Sequence, residues 1–96
     1  TYSTTNYRRY FKNFSLIKMD NLDKYKKIFI ESLSIDASIF NENIKYNEVP
    51  EWDSIGHMTL MSGLEDIFKI TIETDDIIDF SSYKKGKEIL KKYKVF

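Results

Sequence analysis

The sequence predicts an all-α fold, a small bundle of three main helices plus one short helix, and three observations predict it. Apolar residues recur at spacings of three and four along most of the chain, the mark of helices buried on one face. No segment alternates apolar and polar residues long enough to demand a strand. With 96 residues the chain has room for one core and none for a separate catalytic domain.

Residues 1–18, TYSTTNYRRYFKNFSLIK, place Tyr7, Tyr10, Phe11, Phe14 and Ile17 at helical spacing, with Arg8, Arg9 and Lys12 elsewhere on the wheel. Two readings stand. The segment is an upstream extension ahead of a domain spanning 19–96, or it is a basic amphipathic helix. Such a helix would pack on the core, on a second copy, or on a membrane or acidic partner.

The first core helix follows Asp20 or Asn21 as N-cap, with Leu22, Tyr25, Ile28, Phe29 and Leu33 on one stripe ending near Ser34. From Ile35 to Trp52 the apolar residues Ile39, Phe40, Ile44, Tyr46 and Val49 are scattered among Asn43, Asn47 and Pro50. That pattern reads as a long ordered loop pinned by hydrophobic anchors. Asp53 is the N-cap candidate of the second helix, which begins at Ser54 and carries Ile55, Leu60, Met61, Leu64, Ile67 and Phe68 to about Lys69. A short helix over 74–79 follows, capped by Thr74, with Asp75 and Asp76 at the positive end of its dipole. Ser81 or Ser82 caps the last helix, in which Tyr83, Gly86, Ile89, Leu90 and Tyr93 face inward and Lys91, Lys92 and Lys94 suit the C-terminal end.

The formal net charge of zero is a cancellation. Residues 1–18 hold four basic residues and no acid, whereas 19–96 hold 11 lysines against 15 acids. Nucleic-acid binding through Arg8, Arg9 and Lys12 would amount to weak, unspecific attraction, because no reading element accompanies those charges. The absence of cysteine excludes disulfides, thiolate nucleophiles and cysteine-based metal sites. No apolar run is long enough to span a bilayer and no secretory pattern opens the chain, so a cytoplasmic protein is expected.

Asp53, Ser54 and His57 hold the residue types of a hydrolytic triad, but Trp52 stands where a nucleophile elbow needs glycine and no strand feeds the turn. His57 reads as a surface residue near a contact site. The acids Glu73, Asp75, Asp76 and Asp79 lack the glycine and final glutamate of a calcium loop and read as a solvated helix start. No metal site is therefore expected. Gly56, Gly63 and Gly86 are isolated, so no phosphate-binding loop is present. What remains is a serine opening an amphipathic helix. There the first N–H groups and the dipole favour an anion, and the hydroxyl projects into solvent, which suits a phosphoester. The structural alternative is a serine that only helps start the helix.

The neighbourhood of Ser54 resembles that of the acyl carrier protein family. Asp53-Ser54-Ile55 matches the family's D-S-L/I motif, in which the serine receives 4′-phosphopantetheine from coenzyme A. The run Gly63-Leu64-Glu65-Asp66-Ile67-Phe68-Lys69-Ile70-Thr71-Ile72 resembles the family's A-L-E-E-E-F-G-I-x-I. Phe80-Ser81-Ser82-Tyr83 with Ile89-Leu90 resembles its last helix. The likeness covers roughly residues 19–93 and implies an acyl-carrier-like bundle and a protein that is not an enzyme. Ser54 would be the attachment residue, with Asp53 beside it, and the prosthetic group would supply the thiol the chain lacks. The implied partners are a phosphopantetheinyl transferase, an acyl or aminoacyl loading ligase, and a downstream acyltransferase or synthase. Leu60, Leu64, Phe68 and Ile72, with Phe29, Tyr83 and Leu90, should form the interior.

The partner-facing positions of the family fall on Ile55, Gly56, Met58, Ser62, Glu65 and Asp66. Fatty acid synthesis carriers resemble one another in a heavily acidic second helix, whereas here Gly56, Thr59 and Ser62 occupy much of the exposed face and Asp53, Glu65 and Asp66 remain. Apolar contacts through Ile55 and Met58 should therefore count for more in docking. Gly56 costs about 0.5–1 kcal/mol relative to alanine in a helix, and reads either as room for a close approach by an enzyme or the arm, or as drift at a surface position. Trp52-Asp53-Ser54-Ile55-Gly56-His57 is more similar to the W-D-S-L-G-H pattern of stand-alone carriers of specialised pathways than to the fatty acid synthesis carrier. The alternative is an interaction module that keeps the fold without the arm.

Overall fold

A computed structural model describes residues 19–96; the amphipathic pattern read in residues 1–18 lies outside them. The described chain forms four helices: α1 (Asn21–Leu33), α2 (Ser54–Phe68), α3 (Thr74–Asp79) and α4 (Tyr83–Lys92). Among the described residues there is no strand, only a single antiparallel bridge between Lys45 and Ser82. The fold is a small all-α bundle, as the helical spacing predicts.

Each main helix begins with the local chemistry its sequence provides. Asp20 accepts the Asp23 amide at 2.8 Å, Asp53 accepts that of Gly56 at 2.8 Å, and Ser82 accepts that of Lys85 at 2.9 Å. Each side chain satisfies one of the N–H groups that a helix start leaves without a partner. The short helix differs from expectation: its N-cap is Glu73, without a side-chain cap bond, and Thr74 is already the first helical residue.

Helix α1 buries Tyr25, Phe29 and Leu33, at steps of four, while Leu22 on the same stripe remains 42% exposed at the helix end. Tyr25 stacks on Tyr83 with ring centroids 4.5 Å apart, and Phe29 meets Trp52 edge-on at 5.0 Å. Full burial of each such side chain contributes roughly 2–3 kcal/mol. The Tyr25 hydroxyl donates to the Tyr83 carbonyl at 2.8 Å, so its polar end is satisfied inside the core. At the α1–α2 crossing, a β-carbon on Gly63 would stand 2.6 Å from Ser32 Oγ and 3.0 Å from Ile28 Cγ1. Glycine there lets the two helices approach closely.

The 35–52 connection is ordered by a run of turns. The amides of Ile39, Ile44, Glu48 and Trp52 donate to the carbonyls of Asp36, Asn41, Lys45 and Val49 over 2.9–3.1 Å. Ile35, Ile44 and Trp52 are its buried anchors, with Phe40 and Val49 half-buried; Ile39 and Tyr46 are exposed. Tyr46 N donates to Ser81 O at 2.9 Å and Tyr83 N to Ile44 O at 3.0 Å, which pins the loop to the start of α4. The chain therefore reaches Asp53 from a fixed direction.

The interior holds Leu60, Leu64, Ile72, Phe29, Tyr83 and Leu90 as expected, whereas Phe68 is half-buried. One member of the acidic cluster also departs from the solvated reading. Asp76 is 5% exposed and accepts Lys92 Nζ at 2.7 Å and the Tyr93 hydroxyl at 2.6 Å. These bonds, Lys92 first, hold its carboxyl below the usual range and clasp α3 to the end of α4. Among the described residues no helix is long and apolar enough to cross a membrane.

Candidate functional site

The site forms where the pinned loop enters α2. Asp53 has extended backbone geometry; its carboxylate is committed to the Gly56 amide and its carbonyl accepts the His57 amide at 2.8 Å. Ser54 is therefore the first helical residue and lies exposed. Among the described residues no group holds its hydroxyl in a hydrogen bond. Helix geometry leaves the Ser54 and Ile55 amides without intrahelical acceptors, and the Asp53 cap uses the next one, that of Gly56. A solvent-facing hydroxyl at the positive end of a helix suits attachment of an anionic group.

Ile55 and Met58 are 77% and 54% exposed and share with Ser54, Ser62 and Asp66 the outward face of α2. Two of the residues expected on that surface have other tasks. Glu65 is half-buried, and its carboxylate accepts the Ile72 amide at 2.8 Å, closing the α2–α3 connection. Gly56 is half-buried against its own chain: an added β-carbon would collide with the Glu51 carbonyl and stand 3.2 Å from Leu33 Cδ2. The incoming loop makes the close approach that requires glycine here, so Gly56 is not drift at a surface position. Asp66 remains the exposed acid of this face.

Comparison of the chain with protein-family models, curated proteins and solved structures finds no match. Its geometry and residue chemistry carry the functional argument.

His57 is a bridge and not the surface residue read from the sequence. Trp52 Nε1 donates to its Nδ1 at 2.9 Å, and its Nε2 lies 2.7 Å from the Ile77 carbonyl. The indole and imidazole are nearly parallel, at 21°, with Tyr46 and Phe80 edge-on to the imidazole. Trp52, fully buried, is thus tied through the first turns of α2 to α3. Within the sequence, the sole tryptophan and sole histidine flank the helix start five residues apart, a signal that a long-range partner was needed to interpret.

Tyr46, His57, Ile77, Ile78, Phe80 and Ser81 line an apolar groove of about 290 Å³, and of these His57 lies about one turn along α2 from Ser54. Ile78 borders it at 73% exposure. Periodicity missed this groove because Ile77 and Ile78 are adjacent in a six-residue helix and cannot both face inward.

Proposed function

We propose that the protein is a carrier of acyl or aminoacyl groups, with Ser54 as the point at which 4′-phosphopantetheine is attached. The observation that carries the proposal is the placement of Ser54: exposed, first in α2, its preceding acid spent on the cap, and His57 of the groove wall about one turn along the same helix. The likeness of Asp53-Ser54-Ile55 and of the 63–72 run to acyl carrier proteins supports the same assignment.

The residues present fit the group. The Ser54 oxygen would bear the phosphodiester, and the Ser54 and Ile55 amides, with the helix dipole, would favour its negative charge. Because the Asp53 carboxylate is bound to Gly56 N, it stays oriented along the helix start. The prosthetic group supplies the thiol that this cysteine-free chain lacks and holds cargo as a thioester. Ile55, Met58 and Ser62 offer the transferase, the loading ligase and a downstream acyltransferase or synthase a mostly apolar landing face, with Asp66 as its charge.

The test is intact mass after incubation with coenzyme A and a promiscuous phosphopantetheinyl transferase. A gain of one phosphopantetheine that disappears in Ser54→Ala supports the proposal. No gain, or a gain that survives Ser54→Ala, refutes it. Absence of modification together with a partner bound through α2 identifies an interaction module instead.

A further inference from the structure

The bridge through His57 has a chemistry that attachment at Ser54 does not use. An indole N–H can only donate, and a peptide carbonyl can only accept. His57 lies between one of each, with Trp52 Nε1 at 2.9 Å from Nδ1 and Ile77 O at 2.7 Å from Nε2. Both hydrogen bonds form only when Nδ1 is bare and Nε2 carries the proton. The neighbours therefore select one neutral tautomer and exclude the imidazolium from this position. Trp52 is 0% exposed, so its N–H has no water to replace a lost acceptor.

We propose that His57 is a proton-sensitive positioning residue: neutral, it ties α3 to the turn bearing Ser54, and proton uptake at Nδ1 releases that tie. A proton on Nδ1 would set two N–H groups against each other. The half-buried ring then swings toward the groove it lines, where Nδ1–H reaches water, and Nε2 leaves Ile77 O with it. The first turn of α2 and α3 lose their shared fastening, and the groove between them widens.

The surrounding charges leave this response to His57 itself. On α2, the Asp53 carboxylate one turn back is bonded to Gly56 N. From the loop, the imidazole meets Trp52 and the Tyr46 phenol ring, the latter at 5.4 Å. From α3 and its exit it meets Ile77, Ile78 and Phe80; Asp76 is turned to Lys92 and Tyr93, while Asp75 and Asp79 are exposed. Among the described residues no carboxylate hydrogen-bonds the ring. The proposal applies to the bare chain as to a loaded one, so it stands or falls separately from attachment at Ser54.

The experiment follows the unmodified full chain by nuclear magnetic resonance from about pH 8 to about pH 5, the span in which imidazoles change charge. At the upper end, long-range nitrogen–proton couplings should report the Nε2–H tautomer. On acidification the Trp52 indole proton should exchange with water about tenfold faster, the equivalent of losing one hydrogen bond. The Ile77, Ile78 and Phe80 amides should shift with the same midpoint as the ring. His57→Gln retains one acceptor and one donor at similar spacing but takes up no proton, and should hold these signals constant across the range. An Nδ1–H tautomer at the upper end, α3 amides that stay fixed while the ring titrates, or His57→Gln titrating like the parent chain would each overturn the proposal.

Discussion

The Tyr93 hydroxyl, one residue past α4, donates to Asp76 of α3 at 2.6 Å, and the same oxygen accepts the Glu73 amide at 2.9 Å. Together with Lys92, it closes a polar clasp around a carboxylate that has almost no contact with water. The short helix is held by this clasp more than by its own length, since six residues make too few helical bonds to persist alone.

Asp76→Asn should therefore destabilise the fold by about 2 kcal/mol, the scale of a hydrogen-bonded buried charge, measurable by urea unfolding at neutral pH. The pH dependence has a definite sign. The folded carboxyl is held below its ordinary value, chiefly by Lys92 and then Tyr93, so its stabilisation is present above about pH 4 and is lost as pH falls further. The variant should show a flatter acid limb than the parent chain. An equally steep limb would place the acid-sensitive group elsewhere.

Gly56→Ala carries a prediction of sign. At an open helical position, alanine in place of glycine stabilises by about 0.5–1 kcal/mol. Here the new methyl group meets the Glu51 carbonyl and Leu33, so the change should cost about 1–3 kcal/mol. Thermal or urea unfolding decides between the two signs.

Ile55→Ala and Met58→Ala should separate docking from stability. Both side chains are more than half exposed, so unfolding free energies should move by no more than about 0.5 kcal/mol. If the transferase or another carrier enzyme covers them, its catalytic efficiency toward each variant should fall about tenfold, the worth of part of one buried apolar side chain. Unchanged efficiency with every partner would remove this face from the docking surface.

Tyr25→Phe removes the hydroxyl that caps the Tyr83 carbonyl and should cost about 1 kcal/mol in urea unfolding. Burial, then the neighbouring Tyr83, pushes the Tyr25 phenol far above its ordinary range; burial chiefly pushes Tyr83 up to about 12. Both groups therefore stabilise the fold fully below about pH 10, and this contribution is lost as pH rises above it. The variant should show a shallower alkaline limb in the same titration.

Local chemistry was readable from the sequence and long-range partnership was not. Asp20, Asp53 and Ser82 announce helix starts because each cap bonds an amide only three residues on. The stripe of Tyr25, Phe29 and Leu33 follows from the helical period alone. By contrast, Glu65 finds Ile72 seven residues away, Asp76 finds Lys92 sixteen away, and His57 finds Ile77 twenty away. No periodicity encodes those pairings, which depend on where α3 settles against α2 and α4. The same cause hid the role of Gly56, whose neighbour Glu51 is close in sequence but brought overhead by the fold of the loop.

Trp52 is the chain's only tryptophan, and it is buried one residue before the Asp53 cap with its indole N–H on His57. Excited above the tyrosine absorption band, it makes the protein its own optical probe, with emission arising solely from the joint at which the loop, α2 and α3 meet. If a group is attached at Ser54, if the imidazole takes up a proton or if an enzyme docks on Ile55, each proposed event would be read in real time, without a label that would itself occupy the surface under study.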